Sequence, residues 1–298
     1  MKNGFLFLVY ISLHSILNVF IVLIGVYSYV LGLRVYSSNG YITHKRTSLI
    51  FYLGEKPTIR GEKSVRKSRK NSLVLSLAEN LSIIDMKYGD EKDVDERMQK
   101  LLDQKPALVT IDYMNLLPNP PANNSPEVKQ ELVQLKKKTE QLQKNKSLQN
   151  FIKIVDVDAD FPMKKIAEKY KLAYPQKLAD KLWRDVLAPI QMQLKWKFNR
   201  PRPYQLAKKL GIDLEHIETK THHTPSYPSG HAVHGYFTAF LLSDMFPKYE
   251  DEWMEAGKQV AMARLSQGVH FQSDADAAFY IAKKIWDDIK DKYKTILT

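Results

Sequence analysis

Arg264, His270 and Asp274 lie within the stretch Arg-Leu-Ser-Gln-Gly-Val-His-Phe-Gln-Ser-Asp, and their types fit a fixed cation, a nucleophile and an acid that orients it. If the segment is helical near its end, His270 and Asp274 are four residues apart and share one face. Asp274 can then accept a hydrogen bond from one imidazole nitrogen. The other nitrogen is left unprotonated and aimed outward, the state in which a histidine attacks phosphorus or holds a metal-like centre. An arginine so close implies that the attacked atom carries anionic oxygens.

Two further segments give this spacing a context. Lys195-Trp196-Lys197-Phe198-Asn199-Arg200-Pro201-Arg202-Pro203 contains Lys-x6-Arg-Pro, counted from Lys195 to Arg202 and Pro203, and Pro228-Ser229-Gly230-His231 follows it. Taken singly, Lys195, Arg202 and Arg264 read as surface charges, His231 as a helix N-terminal residue and Asp274 as a helix cap. The order and spacing of the three segments change that reading. Together they resemble the three-part signature of the type 2 phosphatidic acid phosphatase (PAP2) and vanadium haloperoxidase superfamily, unbroken at every signature position. Leu116-Leu117-Pro118-Asn119-Pro120-Pro121, Tyr227 and His270 to Ala277 look like the bacterial class A non-specific acid phosphatases. The resemblance covers roughly residues 112 to 290. One departure is visible: Ala263 stands where many relatives have a serine before the arginine of the third motif.

The resemblance implies an all-α fold, a helical bundle of the PAP2 and haloperoxidase type, and a phosphate monoester as substrate. Lys195, Arg202 and Arg264 would hold the phosphoryl oxygens, with the Ser229 hydroxyl and the backbone N–H groups of Ser229 and Gly230 at a helix N-terminus. His270 would be the nucleophile, giving a phosphohistidine, Asp274 would orient it, and His231 would act as general acid and then base. No metal ligands and no cofactor are assigned, although vanadate or phosphate fits such an oxyanion pocket. Other readings within the fold are a lipid phosphate or isoprenyl diphosphate phosphatase and a vanadate-dependent haloperoxidase. A catalytically silent membrane or nucleic-acid tether is the alternative from a different class.

These residues need elements to position them. Apolar residues at Val128, Leu132, Leu135 and Leu142 mark one helix, and Pro175 to Phe198 reads as a long helix that delivers Lys195 at its C-terminal end. Helices are also expected over 231–245, 252–267 and 273–293, and an amphipathic one over 88–104. Residues 73–86 fit a short strand or helix. Asp156, Asp158 and Asp160 imitate the start of a calcium loop, but Phe161 stands where glycine is needed and Ala167 where the bidentate glutamate belongs, so no calcium site is expected. His222 and His223 read as a solvated loop pair, His234 as packed, and His216, His14 and His44 carry no role.

Cysteine is absent from the 298 residues, which excludes disulfides and thiolate chemistry. The net charge of +12 is concentrated: between Arg34 and Lys70 ten basic residues face two acidic ones, leaving the rest close to balanced. That distribution makes a nucleic-acid partner a poor expectation for the catalytic region. Residues 5–33 are almost wholly apolar, longer than the roughly 20 residues that span a bilayer, and read as a single-pass membrane or signal anchor.

The expected division is an anchor at 1–33, a basic linker at 34–72 able to meet anionic lipid, an accessory segment at 73–111 and the phosphatase domain at 112–298. The side of the membrane stays open. The basic run after the anchor places the domain in the cytosol, whereas the resemblance and the sequons at Asn80, Asn123 and Asn145 favour an exported or lumenal one. Oligomeric state has no sequence signal.

Overall fold

The computed structural model describes residues 78–90, 92 and 94–297. The expected anchor over 5–33 and the basic linker over 34–72 lie outside the described residues. Among the described residues there is no strand, and no helix is long and apolar enough to cross a membrane.

After a helical segment at 78–84, the chain forms α1 (Glu96–Asp103), α2 (Pro126–Gln143), α3 (Lys146–Val157), α4 (Phe161–Tyr170), α5 (Gln176–Leu182), α6 (Ala188–Phe198), α7 (Pro203–Lys209), α8 (Gly230–Met245), α9 (Glu250–Ser266) and α10 (Gln272–Ile289). Helix starts follow short polar side chains. Asp95, Ser125 and Asn145 each accept a hydrogen bond from the backbone N–H three residues on.

α8 is the central element and packs against both α9 and α10. Phe237 and Leu241 join a core shared with α2, α5, α6 and α10, whereas Ala239 and Leu242 join one built with α3, α4 and α9. Each fully buried Leu or Phe in such a core contributes about 1.5–3 kcal/mol relative to exposure. Two glycines set the crossing of α8 and α9. A Cβ on Gly235 would lie 2.9 Å from Cβ of Val260, and one on Gly257 would lie 3.0 Å from the carbonyl oxygen of Gly235. Larger residues would push the two helices apart.

The long helix expected over 175–198 is present with one irregularity, a π-helical turn at Trp183–Leu187 between α5 and α6. Leu178, Leu182, Val186 and Ile190 are all buried, as their spacing predicts. Pro189 has no N–H to give to the carbonyl of Asp185, four residues earlier, and that carbonyl accepts from the backbone N–H of Ala107 at 2.8 Å instead. Gln193 spreads its amide over the carbonyls of Leu101, Leu102 and Gln104, which caps the C-terminus of α1 against α6. Residues outside the expected phosphatase domain thus dock on the same helices that carry Lys195.

The amphipathic helix expected over 88–104 is shorter, beginning only at Glu96. Before it, Tyr88 and Gly89 are tied to Asn199: its carbonyl accepts from the Tyr88 N–H at 3.0 Å and its amide donates to the Gly89 carbonyl at 2.9 Å. Those bonds compete with helix formation. The sequon residue Asn123 is buried and donates to the carbonyls of Ile83, Ile84 and Met86.

Candidate active site

Helix ends carry the signature residues. Lys195 lies in the last turn of α6, Arg202 caps the start of α7, Ser229 and Gly230 open α8, Arg264 lies in the last turn of α9, and Asp274 is in the first turn of α10. They meet at a cavity of about 830 Å³ whose lining includes Lys195, Arg202, Gly230, His231, Arg264 and His270. Ser229 and Asp274 are fully buried.

The His270–Asp274 contact forms, but not across a helix face. His270 precedes α10, Phe271 is its extended N-cap, and Asp274 is its third residue. The carboxylate reaches back: Oδ2 accepts from Nδ1 of His270 at 3.1 Å and from the Phe271 N–H at 2.9 Å. A carboxylate only accepts and a guanidinium only donates. Nδ1 therefore carries the proton, and the bare Nε2 accepts from Nη1 of Arg202 at 2.8 Å. Burial first, then the charges of Arg202, Lys195 and Arg264, hold the His270 pKa well below the usual imidazole range.

Asp274 is itself held. Its Oδ1 accepts from Nη1 of Arg200 at 2.5 Å, and the Arg200 guanidinium lies 4.0 Å over the Phe271 ring and 3.5 Å from Glu131. Glu131 also accepts from the Ser273 N–H at 2.6 Å.

The remaining cations are buried and differently partnered. Nη1 of Arg264 lies 2.6 Å from Oδ1 of Asp156. Lys195 donates to the carbonyl of Pro225 at 2.5 Å, and Arg202 to those of Thr224 and Val269 at 2.7 and 2.9 Å. Among the described residues neither Lys195 nor Arg202 has a carboxylate within 4.0 Å. Burial, followed by the Arg202 charge, drives the Lys195 pKa well down, and burial followed by the Arg264 charge lowers Arg202 to about 10. Two buried cations answered by carbonyls, the Thr224 hydroxyl and a neutral imidazole, with no carboxylate, leave an anion-shaped electrostatic demand.

Nε2 of His231 lies 3.1 Å from the Asp156 carbonyl oxygen, so it donates and Nδ1 is left to exchange protons. Burial and then Arg264 hold the ring neutral. The Ser229 hydroxyl is buried without a hydrogen-bond partner. Its backbone N–H departs from expectation: it donates to the Asp274 carbonyl at 3.1 Å, so the open N–H groups of α8 begin at Gly230. A Cβ on Gly230 would lie 2.6 Å from Oε1 of Gln191.

Several contributors were not visible as such in the sequence. Arg200 sits in the same basic run as Lys195 and Arg202 and reads as one more charge there. Asp156 belongs to the run that imitates a calcium loop. It instead accepts from Arg264, Thr219 and Thr221, and although burial alone would raise its pKa, the Thr221 hydrogen bond and the Arg264 charge bring it to about 2. Asp160 pairs with His234 at 2.9 Å, and that ring stacks on Trp183, which agrees with a packed His234. The reading of His222 as solvated is corrected: it is 1% exposed, and burial with the Arg202 charge lowers its pKa to about 4. His223 is exposed and lines the cavity.

Residues 186–285 match the family model of the PAP2 superfamily. This segment of the chain is similar to the PAP2 superfamily. It is 33% identical over 88 residues to a non-specific acid phosphatase of Providencia stuartii, a match covering 30% of this chain and 35% of that protein. It is 39% identical over 56 residues to a non-specific acid phosphatase of Salmonella typhimurium, covering 19% and 22%. The chain thus spans about a third of the first of these curated relatives and less of the second. All eight residues expected at the site lie inside the PAP2 segment. Glu131, Asp156 and α1 lie outside it, so part of the cavity wall is built from sequence that the PAP2 match does not reach.

Proposed function

We propose that this protein is a phosphatase that hydrolyses phosphate monoesters through a phosphohistidine on His270. The reading rests above all on Lys195 and Arg202, two buried cations without a carboxylate that line the same cavity as His270, Arg202 donating to the bare Nε2 of that neutral histidine. A phosphoryl group there supplies the missing negative charge, and Arg202 exchanges its bond to Nε2 for a phosphoryl oxygen.

Nε2 attacks phosphorus as the P–O ester bond breaks, and Asp274 stabilises the imidazolium that forms. Burial and then the Arg264 charge keep His231 neutral, and a bound phosphoryl group offsets the second of these. His231 then takes a proton on Nδ1 from solvent and delivers it to the leaving oxygen. In the second step the same nitrogen removes a proton from water, which attacks the phosphohistidine and releases inorganic phosphate. Side-chain cations provide the charge stabilisation at phosphorus, so no step calls for a metal ion or other cofactor.

The test is aryl phosphate hydrolysis by the full chain in the presence of chelator, beside His270→Ala, with alkaline quenching to retain a phosphohistidine. The expected result is turnover and a base-stable phosphoenzyme in the wild type and neither in the variant. Near-normal hydrolysis by His270→Ala would overturn the assignment.

A further inference from the structure

His216, Glu218 and His222 cluster on the irregular connection between α7 and α8. Nε2 of His216 lies 3.1 Å from Oε1 of Glu218, Nε2 of His222 lies 3.1 Å from Oε2, and one donor atom from each residue falls within 4.8 Å of the others. Tetrahedral bonds of about 2.0–2.1 Å place neighbouring ligand atoms roughly 3.3 Å apart, so the two carboxylate contacts are close to coordination edges.

The hydrogen bonds around Thr219 decide which nitrogen of His222 is free. Thr219 has one hydroxyl proton. Its Oγ1 lies 2.8 Å from the carboxylate of Asp156, 2.7 Å from the amide nitrogen of Gln267 and 3.3 Å from Nδ1 of His222. The ionised Asp156 only accepts, so the proton goes there, and the oxygen accepts from Gln267 and from Nδ1–H of His222. A neutral His222 then turns a bare Nε2 lone pair toward the carboxylate of Glu218. That contact is repulsive as it stands, and a cation between the two atoms converts it into two bonds.

Both imidazoles are held in place. His216 stacks on Tyr204 with centroids 4.2 Å apart, and His222 meets the same ring edge-on at 5.9 Å. The Ile217 backbone is bonded to Gln267 in both directions, at 3.1 and 2.8 Å. Orientation of a ligand histidine through its second nitrogen, as Thr219 does here, is a regular feature of metal sites.

We propose that His216, Glu218 and His222 bind one divalent transition-metal ion of the zinc type, with an open position toward solvent beside the exposed Glu218. Two imidazoles and a carboxylate suit Zn²⁺ and its neighbours better than Mg²⁺ or Ca²⁺. The ion is not part of the phosphoryl chemistry. It ties together the connection whose Thr221 and Thr224 contact Arg264 and Arg202, and so steadies the phosphate cradle from behind.

Metal-stripped full chain would be titrated with Zn²⁺ alone against a chromophoric chelator, and with Co²⁺ for its visible spectrum, beside His216→Gln and Glu218→Gln. The Glu218 side chain is exposed and the His216 ring is partly buried against Tyr204, and circular dichroism verifies the helical fold of each variant. The expected result is one Zn²⁺ per chain, a Co²⁺ spectrum of tetrahedral or five-coordinate intensity, and binding weakened at least tenfold in each variant. Absence of binding at micromolar Zn²⁺, or equal binding by wild type and variants, would overturn the proposal.

Discussion

Arg200 holds one oxygen of the Asp274 carboxylate at 2.5 Å while the other oxygen faces Nδ1 of His270 at 3.1 Å. The acid that orients the proposed nucleophile is therefore fixed from both sides, by a guanidinium and by the Phe271 N–H at the start of α10. Arg200 is not among the residues that line the cavity. Its part is to make a buried carboxylate tolerable and to aim it.

Replacing Arg200 with alanine should be expensive in stability, because it strands Asp274 and Glu131 as buried carboxylates without their cation. Breaking such a buried pair costs about 3–5 kcal/mol. Urea unfolding of Arg200→Ala should show a loss of that order, together with a fall in turnover, and Arg200→Lys should recover part of both. A variant as stable as the wild type would mean that the two carboxylates find other partners or protons.

Ser229 offers the opposite combination. Its hydroxyl is buried and unpartnered, so Ser229→Ala removes no bond from the folded protein and should leave the urea midpoint unchanged or slightly higher. If the hydroxyl serves the phosphoryl group, turnover should fall on the order of 10²-fold, the usual effect of removing one preorganised anion donor. Full activity in Ser229→Ala would remove this residue from the anion-binding set.

What the sequence disclosed and what it hid divide along a physical line. Helix positions were legible wherever one face is apolar at a regular spacing, as at Val128, Leu132, Leu135 and Leu142, or Leu178, Leu182, Val186 and Ile190, all buried. Likewise, the expected site residues were legible because three spaced motifs fell in order. Partners distant in the chain were not: Asp156 meets Arg264 across 108 residues, and Glu131 meets Ser273 across 142. No local spacing encodes such contacts. The cap geometry of His270 and Asp274 was also hidden, since a four-residue interval is compatible with a helix face and with a carboxylate reaching back to an N-cap.

Stability should depend on pH in the range where histidines ionise. His231 and His270 have native pKa values well below 6.5, with burial the first cause in each case. As pH falls through about 6.5 the unfolded chain takes up protons at these two positions and the native protein does not, so their contribution is complete above that pH and is lost below it. Each ring adds a slope approaching about 1.4 kcal/mol per pH unit. Asp156, lowered from 3.8 to about 2, acts only in a later window, as pH falls between those values. Urea unfolding in phosphate-free buffer should therefore show stability dropping more steeply below pH 6.5 than above it. A curve with no change of slope between pH 7 and 5 would show that the two rings are not held neutral.

Substrate size should be read by a wall that the PAP2 match does not include. α1 brings Arg97, Met98 and Leu101 to the cavity, opposite in chain order to every motif residue and pinned there by Gln193. Because these side chains line the cavity but do not touch His270 or its cations in the hydrogen-bond network, they can contact the organic part of a monoester without altering the phosphoryl site. Leu101→Ala should then raise KM for an aryl phosphate several-fold, with kcat and inhibition by inorganic phosphate nearly unchanged. Arg97→Ala should weaken monoesters that carry a second anionic group more than neutral ones. Loss of phosphate inhibition in Leu101→Ala would place α1 within the anion site itself, and unchanged kinetics across all these substrates would place the bound ester elsewhere in the cavity.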